Sequence, residues 1–154
     1  MGLNAPANVP TSPASVLPLH TLLPQPFYTT NYDLFYGALK AAHPNLTLIA
    51  NCDLGADAPL ELWDWHVYTN PEAMFGLRGE FDGRDPGDPR RVFASEYAVT
   101  DGGGHGNLVA AVAEAGFMTG LERNGRAVPL AAYAPLFVNV NDRPWPTNLI
   151  QVGD

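Results

Sequence analysis

Cysteine is nearly absent from this chain. Its 154 residues contain one, Cys52, which rules out an internal disulfide and a cysteine-built zinc site. Basic residues are scarce too: eight Lys and Arg stand against sixteen Asp and Glu, for a formal net charge of −8. No cationic patch is large enough to neutralise phosphates, so a nucleic-acid partner is not expected. A neutral polymer or a small polar substrate suits the charge better. Apolar residues never run for the ~18 positions that a membrane span needs, so no membrane partner is expected either. The N-terminus has no basic n-region, and Pro10, Pro13 and Pro18 interrupt each apolar stretch that could serve as a secretory signal. Asn45-Leu46-Thr47 has the form of a glycosylation sequon, meaningful only in an exported chain.

What is present is a globular composition, 46% hydrophobic and 16% charged. The length suffices for one ordinary core, yet it falls short of the roughly 250 residues of a complete eight-stranded α/β barrel. Residues 1–26 are rich in Pro, Ala, Ser and Leu, with prolines at 6, 10, 13, 18, 24 and 26. At that density proline removes amide donors and forbids regular structure, so this segment reads as a poorly ordered leader before a folded unit at 27–154.

Within that unit helical and strand patterns alternate. Asn31 can cap a helix ending near His43, with Tyr32, Phe35, Tyr36 and Leu39 on one face and Pro44 as its stop. Strands are expected at 46–52, 63–69, 91–100 and 128–140. Between them fall a helix opened by Pro71 and running to Leu77, a Gly/Pro/Asp loop at 82–89, and a long apolar helix at 108–124. This order predicts a parallel sheet with helices outside it.

Strand pleating then sorts the polar residues. Trp63, Trp65 and Val67 share one face of their strand, and Asp64, His66 and Tyr68 share the other. By the same alternation Val92, Ala94 and Glu96 fall on one face, with Phe93 and Tyr97 opposite. Glu96 is the lone carboxylate in the apolar run 92–99, where burying a charge is costly without a reason. It is either a catalytic carboxylate or a strand-end side chain that reaches solvent. His66 and Tyr68, two residues apart on one face, either hydrogen-bond a substrate or orient a carboxylate, or else are satisfied by backbone and packing.

A metal site built from Asp53, Asp64, His66, Glu96 and His105 is not expected, because the His-x-His spacing usual in metal-dependent barrels is missing. Gly102-Gly103-Gly104-His105-Gly106 lacks the Lys and Ser/Thr of a phosphate loop and reads as a flexible rim loop. Cys52 has no base beside it in sequence and reads as a strand-end residue.

Five motifs, in order and near-register, resemble the α-L-arabinofuranosidases of glycoside hydrolase family 51, and their plant-type branch most. They are Ala50-Asn51-Cys52-Asp53, Trp65-His66-Val67-Tyr68-Thr69, Ala94-Ser95-Glu96-Tyr97-Ala98-Val99-Thr100, the run from Ala113 to Asn124, and the run from Tyr133 to Asn141. The resemblance spans residues 28–154. It implies a partial (β/α)8 TIM barrel, with these strands as the fifth to eighth. It also implies a retaining glycosidase that releases terminal arabinofuranose from arabinan or arabinoxylan without metal or organic cofactor. On that resemblance Glu96 is the nucleophile, His66 and Tyr68 line the sugar subsite, and the Tyr68 hydroxyl contacts the nucleophile. The family is often extracellular.

One departure matters. The family's acid/base residue is the Glu of a Gly-Asn-Glu motif just before the helix placed here at 31–43, where this chain reads Pro24-Gln25-Pro26-Phe27. No acidic residue precedes Asp33. Retaining hydrolysis needs a second carboxyl group about 5–5.5 Å from the nucleophile, so the expectation is a C-terminal half-barrel that is inactive alone. It would associate with another chain to complete the barrel, or survive as a non-catalytic remnant that binds carbohydrate or a partner.

Overall fold

A computed structural model of the chain describes residues 26–153. Of the expected leader only Pro26 falls inside, and it opens a helix, α1 (Pro26–Ala42). Proline has no N–H to leave unpaired and its φ suits a first turn, so α1 starts there rather than after Asn31. Asn31 is not the cap: its Nδ2 donates to the Phe27 carbonyl at 2.9 Å, one turn back. The face that α1 turns to the core carries Tyr28 and Tyr32, while Phe35, expected on it, stays exposed.

Four parallel strands follow in spatial order: β1 (Ile49–Ala50), β2 (Leu62–Thr69), β3 (Arg91–Val99) and β4 (Leu130–Ala131). Helices connect them on one side, α2 (Pro71–Gly76), continued by a 3-10 turn Leu77–Gly79, and α3 (Leu108–Arg123). This is the expected α/β architecture, an open part of a barrel. The outer strands are shorter than expected. Beside β1 the Leu48 amide is taken by Glu61 Oε2 at 2.9 Å and the Asn51 amide by the Tyr28 hydroxyl at 2.7 Å, so side chains replace ladder bonds there. The last expected strand, 128–140, is interrupted. Pro129 and Pro135 supply no amide, and only Leu130–Ala131 joins the main sheet. Phe137–Asn139 (β5) instead pairs in parallel with Ile150–Val152 (β6) in a separate two-stranded sheet.

The central pair β2–β3 holds the main departure from simple alternation. Trp65 is level with Ala94, but His66 is level with Glu96, so Ser95 is an extra residue in β3. Such a bulge turns over the alternation beyond it. Glu96 therefore does not share a face with Val92 and Ala94. Tyr97 takes the core side instead, its ring edge-on to Phe117 with centroids 5.2 Å apart.

Below the sheet Trp65, Met74, Val92, Val99 and Phe117 are fully buried. Trp65 meets Phe81 edge-on at 5.4 Å and stacks on Phe117 at 5.5 Å. Burying one such side chain is worth about 1.5–3 kcal/mol. Helices α2 and α3 are capped alike, Asn70 Oδ1 accepting from the Ala73 amide at 2.9 Å and Asn107 Oδ1 from the Ala110 amide at 2.8 Å. Helix α3 comes close to the 3-10 turn after α2 because Gly120 has no side chain: a Cβ there would lie 2.1 Å from the Arg78 carbonyl oxygen. Among the described residues no helix is long and apolar enough to cross a membrane.

Candidate active site

On the face of the sheet opposite α3, β2 presents Asp64, His66 and Tyr68, and the bulge brings both Ser95 and Glu96 of β3 to meet them. The Tyr68 hydroxyl donates to Glu96 Oε2 at 2.7 Å. His66 Nε2 lies 3.9 Å from that same oxygen and 3.1 Å from Asp64 Oδ2. Ser95 Oγ is 2.9 Å from His66 Nε2 and donates to Asp64 Oδ1. The three residues picked from the sequence are thus brought into one network, and Glu96, 46% exposed at its side chain, is also open to an incoming molecule. Burial, and then the bond to Glu96, push the Tyr68 phenol above its ordinary range. It therefore stays a donor at neutral pH. An ionised Glu96 held by a fixed donor, with one oxygen edge free, has the makings of a positioned nucleophile.

Residues that pattern reading did not single out surround this cluster. Trp145, from the loop after β5, sits edge-on to Tyr68 with centroids 5.6 Å apart and gives the site an aromatic wall. Only its flanking prolines mark it in the sequence. Glu114 of α3 is buried below β3, accepting from the Val99 amide at 2.7 Å and the Tyr133 hydroxyl at 2.9 Å. It ties down the strand end that follows Glu96. Like Glu96, Glu114 is a lone carboxylate in an apolar run, Val112–Met118. Burial, and then the bond to Glu114, raise the Tyr133 phenol.

Other readings of the sequence resolve differently. Among the described residues no group of three or more His, Cys, Asp or Glu is arranged to hold a metal ion. The glycine loop after β3 has Gly102, Gly104 and Gly106 at φ of 72°, 54° and 105°, conformations that side chains resist. Two of its carbonyls are already used, Gly102 by Asn107 Nδ2 at 2.9 Å and His105 by Arg143 Nη2 at 3.0 Å. Cys52 is half-buried, and burial, then the charge of Asp53, raise its thiol.

Parallel strands with helices outside, and His66, Tyr68 and Glu96 in their C-terminal halves, place the chain in the α/β-barrel class, of which it holds a part. Comparison with known proteins narrows this. Residues 95–153 match the family model of the alpha-L-arabinofuranosidase C-terminal domain. Alpha-L-arabinofuranosidase 1 of Arabidopsis thaliana is 45% identical over 123 residues, 77% of this chain and 18% of that protein. Alpha-L-arabinofuranosidase A of Aspergillus kawachii is 38% identical over 128 residues, 80% of this chain and 20% of that protein. A solved arabinose-bound GH51 α-L-arabinofuranosidase superposes with a TM-score of 0.67 at 29% identity, covering 82% of this chain and 22% of that one. The chain is related to the α-L-arabinofuranosidases of glycoside hydrolase family 51, and it spans about a fifth of the length of the curated relatives it matches.

Proposed function

We propose that this chain carries the nucleophile-bearing part of a retaining α-L-arabinofuranosidase, acting on terminal arabinofuranose of arabinose-containing glycans. The observation that carries this reading is the 2.7 Å bond from the Tyr68 hydroxyl to Glu96 Oε2 at the mouth of adjacent parallel strands. In the proposed reaction Glu96 attacks the anomeric carbon and the glycosidic bond breaks. The resulting arabinosyl ester is then cleaved by water, which restores the carboxylate. His66 and Tyr68 line the sugar subsite, and Trp145 offers an apolar wall against the ring. The leaving oxygen needs a proton from a general acid, help typically worth ~10²–10⁴ in rate. Gly-Asn-Glu, which bears that acid in the family pattern, does not occur in this sequence. Turnover is therefore proposed to need a barrel completed by residues outside it, docked on the open edges at β1 and β4.

The test is a chimera in which residues 26–153 replace the matched segment of Arabidopsis α-L-arabinofuranosidase 1. It should release arabinose from an aryl arabinofuranoside, and Glu96→Gln should lower that rate by about 10³-fold or more, given that enzymes accelerate reactions by at least ~10⁶. Undiminished turnover in Glu96→Gln overturns the nucleophile assignment. Arabinan binding without hydrolysis, abolished by changing His66 or Tyr68, would establish the non-catalytic reading instead.

A further inference from the structure

The network around Glu96 contains more hydrogen-bond acceptors than donors, and counting protons decides how His66 is set. Asp64 is a carboxylate and only accepts. Ser95 has one O–H, and it is given to Asp64 Oδ1. The Ser95 oxygen can then only accept from His66 Nε2, 2.9 Å away, and Asp64 Oδ2 at 3.1 Å can only accept as well. Both neighbours thus require a proton on Nε2. We infer that Asp64 and Ser95 are positioning residues that lock His66 as its Nε2–H tautomer, leaving Nδ1 as the open acceptor on a part-exposed ring.

The bulge is what makes the lock available. In a regular strand Ser95 would face the core and Glu96 the site, or the reverse; the extra residue puts both on the site face. Ser95 then serves His66 while Glu96 serves Tyr68, and neither competes for the other's partner. Nδ1 has no partner among the described residues, so its lone pair is available to a hydroxyl donor. That this donor is a sugar hydroxyl rests on the arabinofuranosidase reading; the tautomer itself does not.

The experiment is long-range ¹H–¹⁵N correlation on the uniformly ¹⁵N-labelled full chain. It is recorded near pH 8.5, well above the ordinary histidine value of about 6.5, without sugar. His66 signals are assigned by their loss in His66→Gln. The lock predicts Nε2 and Nδ1 at the limiting shifts of a protonated and a bare ring nitrogen, with the Hε2 proton itself visible. Asp64→Ala should return both shifts toward averaged values and speed Hε2 exchange about 10- to 100-fold, the scale of one hydrogen bond to a charged group. Asp64→Asn keeps an acceptor at the same size and should fall between. Averaged shifts in the parent chain, a proton on Nδ1, or exchange unchanged in both Asp64 variants would overturn the inference. Because no turnover is measured, an inactive chimera and a wrong tautomer are separate results.

Discussion

The two long helices among the described residues are nearly equal in length and opposite in situation. Helix α3, 16 residues, buries Ala110, Ala113, Glu114, Phe117, Gly120 and Leu121 against the sheet and α2. Helix α1, 17 residues, buries none, and leaves Phe27 79% and Phe35 63% exposed. What holds α1 is mostly polar: Tyr28 on the Asn51 amide, and Lys40 on both Glu61 Oε1 at 2.8 Å and the Leu46 carbonyl. The contrast teaches where the chain's stability is concentrated. The β2–β3 pair with α2 and α3 is a finished core that carries the site. Around α1 and β1 apolar surface remains uncovered, of the kind that a neighbouring element or chain ordinarily covers.

The largest expected effect sets one aromatic against another. Phe117→Ala, at a fully buried position, should cost about 3–5 kcal/mol in denaturant unfolding. Phe35→Ala on α1 should stay within about 0.5 kcal/mol. Equal losses would mean that α1 is packed in solution by something that covers Phe35, such as a second copy.

A smaller effect should separate the helices' polar anchors. Glu114→Ala leaves the Val99 amide and the Tyr133 hydroxyl without their acceptor inside the core, for a loss of about 1–3 kcal/mol. Lys40→Ala removes a part-exposed pair and should cost about 0–1 kcal/mol. Thermal melts of both variants would rank them.

The smallest effect is with pH. Burial opposes the Glu61 charge, but the bonds from Lys40 and the Leu48 amide outweigh it and hold its carboxyl below the usual range. Asp88 is held at about 2 by Arg90, through its side chain and then its backbone amide. Folded-state values below the unfolded ones mean stabilisation that is complete above the unfolded pKa of about 4. It is lost as pH falls through the folded values. Protection of the Leu48 amide against exchange should therefore fall as pH drops below about 4, before that of the β2–β3 ladder does.

Much of this arrangement was legible in the sequence because two periodicities announce themselves. Trp63, Trp65 and Val67 alternate with Asp64, His66 and Tyr68, and the structure keeps every one of them on the expected side. Parallel order followed from helix–strand alternation. Glu96, His66 and Tyr68 were gathered by resemblance and by their strand positions, and they meet. What stayed hidden depends on contacts distant in sequence. The bulge at Ser95 is set by pairing with Trp65 and His66, about thirty residues away, so no local pattern records it. β1 is short because Tyr28 and Glu61 take the amides beside it, and Pro129 and Pro135 split the last strand in a way that hydrophobic runs conceal.

The bulge also changes how densely a strand can be furnished. A regular strand offers one side chain to a given face about every 6.6 Å, so neighbouring groups on that face belong to residues two apart. At Ser95-Glu96 two consecutive residues share the face, and the local supply of functional groups doubles without lengthening the strand. The arrangement rests on a count of residues as much as on their identity. Removing Ser95 while keeping every other side chain would restore strict alternation with Glu96 still on the site face, between the core-facing Ala94 and Tyr97, but would take away the second group that the face carries there. The strand would remain well formed, with its carboxylate in place and the hydroxyl that serves Asp64 and His66 gone.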